Sequence, residues 1–321
     1  MSDCWCSNQE RKKKMSKQLL IVLAFAVAGG FLSASGLHGA TQPENDATVQ
    51  EEVDSLFEFG FDADFYTAYV YRNQVFNEGP VAQPCVWADF VGFDPFYLGF
   101  FIWQNYDLNN RRRSDMRGEW NETDYNIHLG ATVWSNEDES MSLTVEVGHE
   151  WYDYNVKSSV SDDYPLDCEI YVKAEFETPF ATPYGSVNRR YRDGDGMYYE
   201  VGLKRDFVLT EDMPMGGALV FGADWNVSLG SGKYLDYLYG VGRGYDAGSD
   251  EFTALNKDGV GGTTLKLSLT WQITDFFSLG GVAAYTSLLN ETIRESYRDS
   301  GWYGNYRDDF VWGGVQAKFE F

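Results

Sequence analysis

The sequence is short of cysteine, of basic residues and of long apolar runs. It has four Cys in 321 residues. Cys4 and Cys6 precede a basic segment, so only Cys85 and Cys168 remain in the body of the chain. That is too few for a disulfide framework. Lys and Arg total 25 against 49 Asp and Glu, a formal charge of -24. Phosphate binding needs clustered Lys and Arg, so general affinity for nucleic acid is excluded. Mean hydropathy is -0.38, which excludes a bundle of transmembrane helices. Aromatics, by contrast, make up 17% of the residues, and there are 33 Gly. Acidic disordered chains are poor in aromatics. A chain that is polar on average yet rich in Tyr, Phe, Trp and Gly points to an all-β protein.

The N-terminus reads as an address. Arg11 to Lys17 is basic, Leu19 to Phe31 is apolar, and residues 32–40 end in small side chains. These are the three parts of a secretory signal peptide. The apolar run is too short for a spanning anchor, and no Cys follows it to receive a lipid. Cleavage falls after Gly36 or after Ala40, and Met15 makes a better natural start than Met1. Residues 1–40 are expected to be a leader, 41–55 a flexible acidic lead-in and 56–321 a barrel.

That barrel rests on alternation, which starts at Phe57. Phe57, Phe59, Phe61, Ala63, Phe65, Tyr69 and Tyr71 share one face; Glu58, Gly60, Asp62, Asp64 and Arg72 share the other. A strand over 57–72 is longer than soluble sandwich strands usually are. The pattern recurs near 85–92, 96–108, 123–135, 140–153, 167–177, 183–192, 196–206, 216–229, 263–273, 277–289 and 309–321, giving twelve strands. Connections are tight at 93–95, 136–139, 178–182 and 274–276. They are long at 73–84, 109–122, 154–166, 230–262 and 290–308. Short turns at one end and long loops at the other form the outer-membrane barrel pattern. Residues 193–195 and 207–215 break it, which leaves room for a missed or mis-split strand between 178 and 215. A secreted β-sandwich is the competing reading, opposed by strand length and loop asymmetry.

The chain closes on Val311-Trp-Gly-Gly-Val-Gln-Ala-Lys-Phe-Glu-Phe321, with Val311, Val315, Ala317, Phe319 and Phe321 on one face. This resembles the C-terminal strand that the bacterial barrel-assembly machinery recognises. The resemblance implies that machinery as a partner and Phe319 and Phe321 as the assembly signal. Ala68-Tyr-Val-Tyr-Arg-Asn-Gln-Val-Phe-Asn-Glu-Gly-Pro-Val-Ala-Gln-Pro84 is similar to the first hairpin of a conserved, poorly characterised porin family of bacterial outer-membrane β-barrels. There a Tyr-Val-Trp-Arg-Gly-like strand end precedes a Pro-x-x-Gln-Pro-like loop. Tyr71 stands at the Trp position and Asn73 at the Gly position. The likeness implies class and location in the bacterial outer membrane, not a substrate.

In such a barrel one face of each strand meets lipid and the other the lumen. Phe57, Phe59, Tyr69, Tyr71, Trp151, Tyr199 and Trp271 are expected in the interfacial girdles. The pore-lining candidates are Asp62, Asp64, Arg72, Asp107, Asp124, Glu146, Glu150, Lys173, Glu175, Glu200, Lys204, Asp224 and Lys266. Asp89, Glu169, Glu177, Lys318 and one of Arg189 or Arg190 add to the same face. Acids outnumber bases there, so a water-filled pore should favour cations; the other reading is that these charges cross-link the lumen. Trp87, Phe101 and Trp103 also point inward and are candidates for an aromatic constriction. The loop 230–262 is the candidate for a segment folded into the lumen. Twelve strands make a narrower barrel than the sixteen of open porins.

A hydrolase in this setting needs a His paired with Ser, Asp or Glu. His149 has lipid-facing parity, with Trp151 two residues on and no Ser placed as nucleophile. His128 falls in the lumen beside Asp124. No enzymatic activity is expected. Asp193-Gly-Asp-Gly196 lacks the rest of an EF-hand loop, and Gly240-Val-Gly-Arg-Gly244 lacks the strand–helix context of a phosphate loop, so neither a metal nor a cofactor is expected. Cys85 and Cys168 have opposite parity, which argues against a bridge. The expected function is porin-like passage of small, preferably cationic or neutral solutes. Outer-membrane lipid and those solutes are the expected contacts. The alternative is a plugged binding or structural barrel acting through extracellular loops, and behind it a lipid-modifying enzyme.

Overall fold

A computed structural model of the chain describes residues 56–108, 120–154, 167–191, 195–239, 258–294 and 308–321. The leader, its cleavage sites and the acidic lead-in lie outside them, as do the 240–244 glycines and residues 193 and 194. Twelve antiparallel strands close into a barrel. They are β1 (Phe57–Tyr66), β4 (Val81–Phe93), β5 (Phe96–Asp107), β6 (Trp120–Ser135), β7 (Ser142–Tyr154), β8 (Asp167–Glu177), β9 (Thr182–Arg190), β10 (Gly196–Thr210), β11 (Ala218–Gly230), β12 (Gly259–Thr274), β13 (Phe277–Leu288) and β14 (Asp309–Glu320). Each pairs with its sequence neighbour in the barrel, and β1 also pairs with β14, Gly60 opposite Glu320 through Tyr66 opposite Gly314. Closure leaves no free sheet edge, which lipid would not tolerate because it offers backbone N–H and C=O groups no partner. No additional strand lies among the described residues between 178 and 215: the short link at 191–195 and the long one at 211–217 are true exceptions.

Parity sorts the two faces. Phe59, Phe61 and Phe65 of β1, Leu98 and Phe100 of β5, Val201 and Leu203 of β10, and Leu265, Leu267 and Leu269 of β12 all stay exposed on the outside. In water such a belt would aggregate; in hydrocarbon it is the stable surface. At the seam, Phe321 stacks on Phe59 at 5.2 Å and on Phe276 at 6.0 Å, and Phe319 stacks on Phe277 at 4.7 Å. Inside, aromatic rings lie over glycines of the next strand. Trp87 covers Gly60, Tyr97 covers Gly130, Tyr171 covers Gly148 and Tyr184 covers Gly202, leaving no room for a Cβ at any of the four.

β1 is shorter than its alternation predicts. It stops at Tyr66, and the chain then forms a separate hairpin of β2 (Tyr69–Tyr71) and β3 (Gln74–Asn77) before β4. Tyr69 and Tyr71 therefore belong to no girdle; both are directed into the barrel, where their hydroxyls find partners that lipid could not give. The described long connections add one helix, α1 (Gly232–Tyr239). Its buried side chains Tyr234, Leu235 and Leu238 pack with Tyr198, Leu288 and Ile293, with Tyr71 and Phe76 of the hairpin against them. This apolar core sits at the long-loop end of the barrel, over the hairpin. Ile293 belongs to a helical turn at 291–294, whose N–H groups at Thr292 and Ile293 are capped by Asn290 Oδ1 at 3.0 and 3.2 Å. Close approach makes α1 possible: a Cβ on Gly196 would stand 2.7 Å from the Tyr234 backbone nitrogen.

Candidate functional site

The hairpin crosses the lumen. Tyr71 pairs with Gln74, leaving Arg72 and Asn73 as a two-residue turn with φ of 50° and 66°. Positive φ at both positions is the primed turn that matches strand twist, and Asn accepts it more readily than Arg does. At the root, Asn77 Nδ2 donates to Asp107 Oδ1 at 2.7 Å, and the Tyr69 hydroxyl donates to Glu122 at 2.8 Å. At the tip, Asn73 Nδ2 donates to Ser228 Oγ at 2.7 Å, while Thr264 Oγ1 donates to Asn73 Oδ1 at 2.6 Å. The hairpin thus leaves the β1–β4 wall and is fastened to β11 and β12. Gly262 gives the tip its space, since a Cβ there would lie 2.7 Å from Asn73 Cβ.

Arg72 enters a cage built by other elements. Its Nη1 and Nη2 donate to Glu169 Oε1 and Oε2 of β8 at 2.7 and 2.5 Å. The guanidinium carbon lies 4.3 Å from the ring centre of Tyr198 in β10, 4.8 Å from Tyr71 and 5.6 Å from Tyr234. It also donates to the Tyr234 hydroxyl. Burial pushes the Tyr234 phenol up to about 12, so it remains a neutral partner at ordinary pH. Below the cage, Arg190 Nε donates to Asp167 and its Nη1 lies 3.8 Å from Glu169 Oε1. The Tyr152 hydroxyl sits 2.8 Å from Glu150 and 3.1 Å from Glu169. Arg190, Asp167 and Glu169 are 1%, 1% and 0% exposed. Charges so far from water persist only when paired. Arg190 is thus the inward member of the pair 189–190.

The candidates from the sequence divide between two ends of the lumen. Arg72, Asp107, Asp124, Glu150 and Glu200 lie with the hairpin or just under it; Glu200 accepts from Tyr198 at 2.8 Å. Trp103 joins them, its ring 5.6 Å from Tyr69. Trp87 and Phe101 are register partners lower on β4 and β5, away from the hairpin contact. Nearer the short turns, Glu146 accepts from Tyr97 and Tyr171 at 2.9 and 2.7 Å. Lys173 and Lys204 both reach Glu175 at 2.8 Å. Asp224 accepts from Tyr184 at 2.8 Å and stands opposite Lys266 in register. Asp62 and Asp64, with Gln316, Lys318, Thr270 and Ser278, line a cavity of about 270 Å³. A neighbouring cavity of about 260 Å³ extends past Asp206, Ser268 and Gln272 toward the turns. Void space therefore remains at the short-turn end, while the hairpin and its partners fill the other.

Three expectations need correction. The described segment folded across the lumen is 69–77, within what the alternation assigned to the end of the first strand and the loop after it; of the 230–262 loop, α1 packs its apolar side chains into the rim core, and residues 240–257 lie outside the described residues. His128 bonds Asn126 Oδ1 through Nδ1 at 2.9 Å and faces Asp89 at 3.4 Å, since Asp124 lies a full pleat further along the strand. Tyr71 and Tyr69 are lumen residues, as above. Sequence reasoning missed Tyr198, Tyr234 and Asn73. Only the pair Arg72-Asn73 between two short alternating runs signalled a turn, and it lacks the Asn-Gly that would mark one clearly. Cys85 and Cys168 are not bridged to each other. Among the described residues no group of three or more His, Cys, Asp or Glu is placed to hold a metal ion.

Solved structures of similar shape include bacterial outer-membrane proteins. An outer membrane channel from Pseudomonas putida F1 aligns at 10% identity and a TM-score of 0.48, covering 87% of this chain and 100% of that one. LpxR from Salmonella typhimurium aligns at 8% identity and 0.42, covering 82% and 99%. Outer membrane phospholipase A from Escherichia coli aligns at 12% identity and 0.40, covering 82% and 92%. No curated protein matches the sequence. Residues 93–296 match the family described as MltA-interacting protein MipA. That stretch begins beyond the hairpin, so the match is independent of residues 68–84.

Proposed function

The chain belongs to the MltA-interacting protein MipA family of outer-membrane proteins, and from that premise we propose that it is a gated outer-membrane channel, closed at its outer end by its own hairpin. One observation carries this reading: the 69–77 hairpin runs from the β1–β4 wall to β8, β11 and β12 and is fastened at both ends. When the hairpin swings out, the lumen passes small cationic or neutral solutes. The excess of inward carboxylates over inward amines and guanidinium groups supports that preference. Planar-bilayer recordings of refolded protein test it. The full chain is expected to be closed most of the time. A variant lacking residues 68–79 is expected to conduct steadily and to prefer cations. A full chain that conducts as a permanently open pore, or a deletion that stays silent, overturns the proposal.

A second reading has its own support. The family takes its name from a protein that interacts with MltA, which favours a plugged barrel that holds a protein partner. A silent deletion variant that still captures such a partner from solubilised envelopes would select it. Both readings are non-enzymatic. His149 points outward, bonded to Tyr191 and 3.9 Å from the ring of Trp151, and His149→Ala is expected to leave the lipid pattern of the cell unchanged. Recognition of Phe319 and Phe321 by the assembly machinery is also part of this proposal.

A further inference from the structure

The cage that holds Arg72 is assembled almost entirely by residues outside the hairpin. Glu169 comes from β8, Tyr152 from β7, Tyr198 from β10 and Tyr234 from α1. These walls have support besides the Arg72 side chain. Tyr234 and Tyr198 belong to the rim core, and the Tyr152 hydroxyl bridges Glu150 and Glu169. Arg190 approaches Glu169 only to 3.8 Å, and its Nε is spent on Asp167. Glu169 is 0% exposed with the tip in place, and withdrawal of the tip takes away its two-pronged partner. Tyr152 and the more distant Arg190 still face the carboxylate, but the two close charge-assisted bonds are lost, which favours a replacement cation.

The geometry also specifies which cation. Two parallel N–H···O bonds to one carboxylate match the planar fork of a guanidinium and not the single point of an ammonium. The Tyr198 ring 4.3 Å from the guanidinium carbon adds a face for a flat cation. The backbone gives the opposite signal: at φ 50° an Arg is a poor choice, and Gly or Asn would be relaxed there. The side chain accounts for the presence of Arg72.

We propose that this cage is a guanidinium-binding site, occupied by Arg72 as an internal ligand in the closed barrel, and that solutes carrying a free guanidinium group compete for it. Arginine-like solutes are the ligand class. The link from binding to opening rests on the gated-channel reading; binding itself does not.

Arg72→Gly tests the site, because glycine suits the turn and removes only the side chain. The refolded full-length variant is titrated with millimolar methylguanidinium by calorimetry, with methylammonium and methylurea as controls. Saturable binding of methylguanidinium alone is expected, absent in the wild type, and weakened about tenfold or more when Glu169→Gln is added, the loss of one charge-assisted bond. No binding, or equal binding of methylammonium, overturns the proposal. If Arg72→Gly does not refold, Arg72→Asn replaces it. If neither refolds alone, recovery of the folded band by methylguanidinium supports the site, and failure with it counts against it. Conductance is recorded in parallel. Methylguanidinium that binds without altering the current retains the site and removes the gating link.

Discussion

At the residue scale, the buried charges decide how firmly the outer half of the lumen is fixed. Arg190 stands between Asp167 and Glu169 with all three out of water. Such a network adds little net stability over an apolar filling, but it is costly to break from one side. Arg190→Met is expected to destabilise the folded barrel by about 3 kcal/mol or more, read as a lowered urea midpoint in lipid vesicles. An unchanged midpoint would mean that water or another cation already serves Asp167. These residues were partly legible: parity put Glu169, Glu150 and Asp124 on the inward face. It could not say that Glu169 takes both Arg72 and Arg190 as partners, because that meeting depends on curvature bringing β8 and β9 around a hairpin from far along the chain.

At the element scale, the hairpin and α1 hold each other. Tyr71 and Phe76 pack on the core that α1 completes, and Gly196 and Gly230 leave the gap in which α1 sits. Gly196→Val places a side chain where the Tyr234 backbone runs. The expected result is a displaced helix on an intact barrel: cleavage by added protease within 232–239 rises several-fold while the folded band on gels is kept. Equal protection in both proteins would show that the helix is not seated by this contact. The alternation in β1 misled here for a definite reason. Parity continues unbroken from Phe65 through Tyr69 and Tyr71, so no periodic signal marks the break at Thr67-Ala68. The chain leaves the wall because two phenols and a guanidinium find partners inside that they would lack in lipid.

At the scale of the whole molecule, the barrel is closed by a seam between its first and last strands. Phe321 lies across that seam, stacked on Phe59 and Phe276, and Phe321 N donates to Phe59 O at 2.8 Å. Phe321→Ala removes two ring contacts worth about 0.5–1.5 kcal/mol each beyond their burial. The variant is expected to refold in lower yield and to lose its fast-migrating unheated form on SDS gels at a lower temperature than the wild type. A variant identical to wild type in both would show that the backbone ladder alone closes the barrel.

The sequence alone determined the class of protein and the layout of its wall. A side-chain period of two over twelve segments, with short and long connections in alternation, is a local property, so it survives in one dimension. So does the inward or outward parity of Asp62, Glu146, Lys173 and Asp224. Tertiary structure alone decided which segment crosses the lumen and where void space remains. Arg72 meets Glu169, and Asn73 meets Ser228 and Thr264, across separations that no periodicity encodes. Those meetings exist only because closing the sheet brings opposite walls within reach of a two-residue turn.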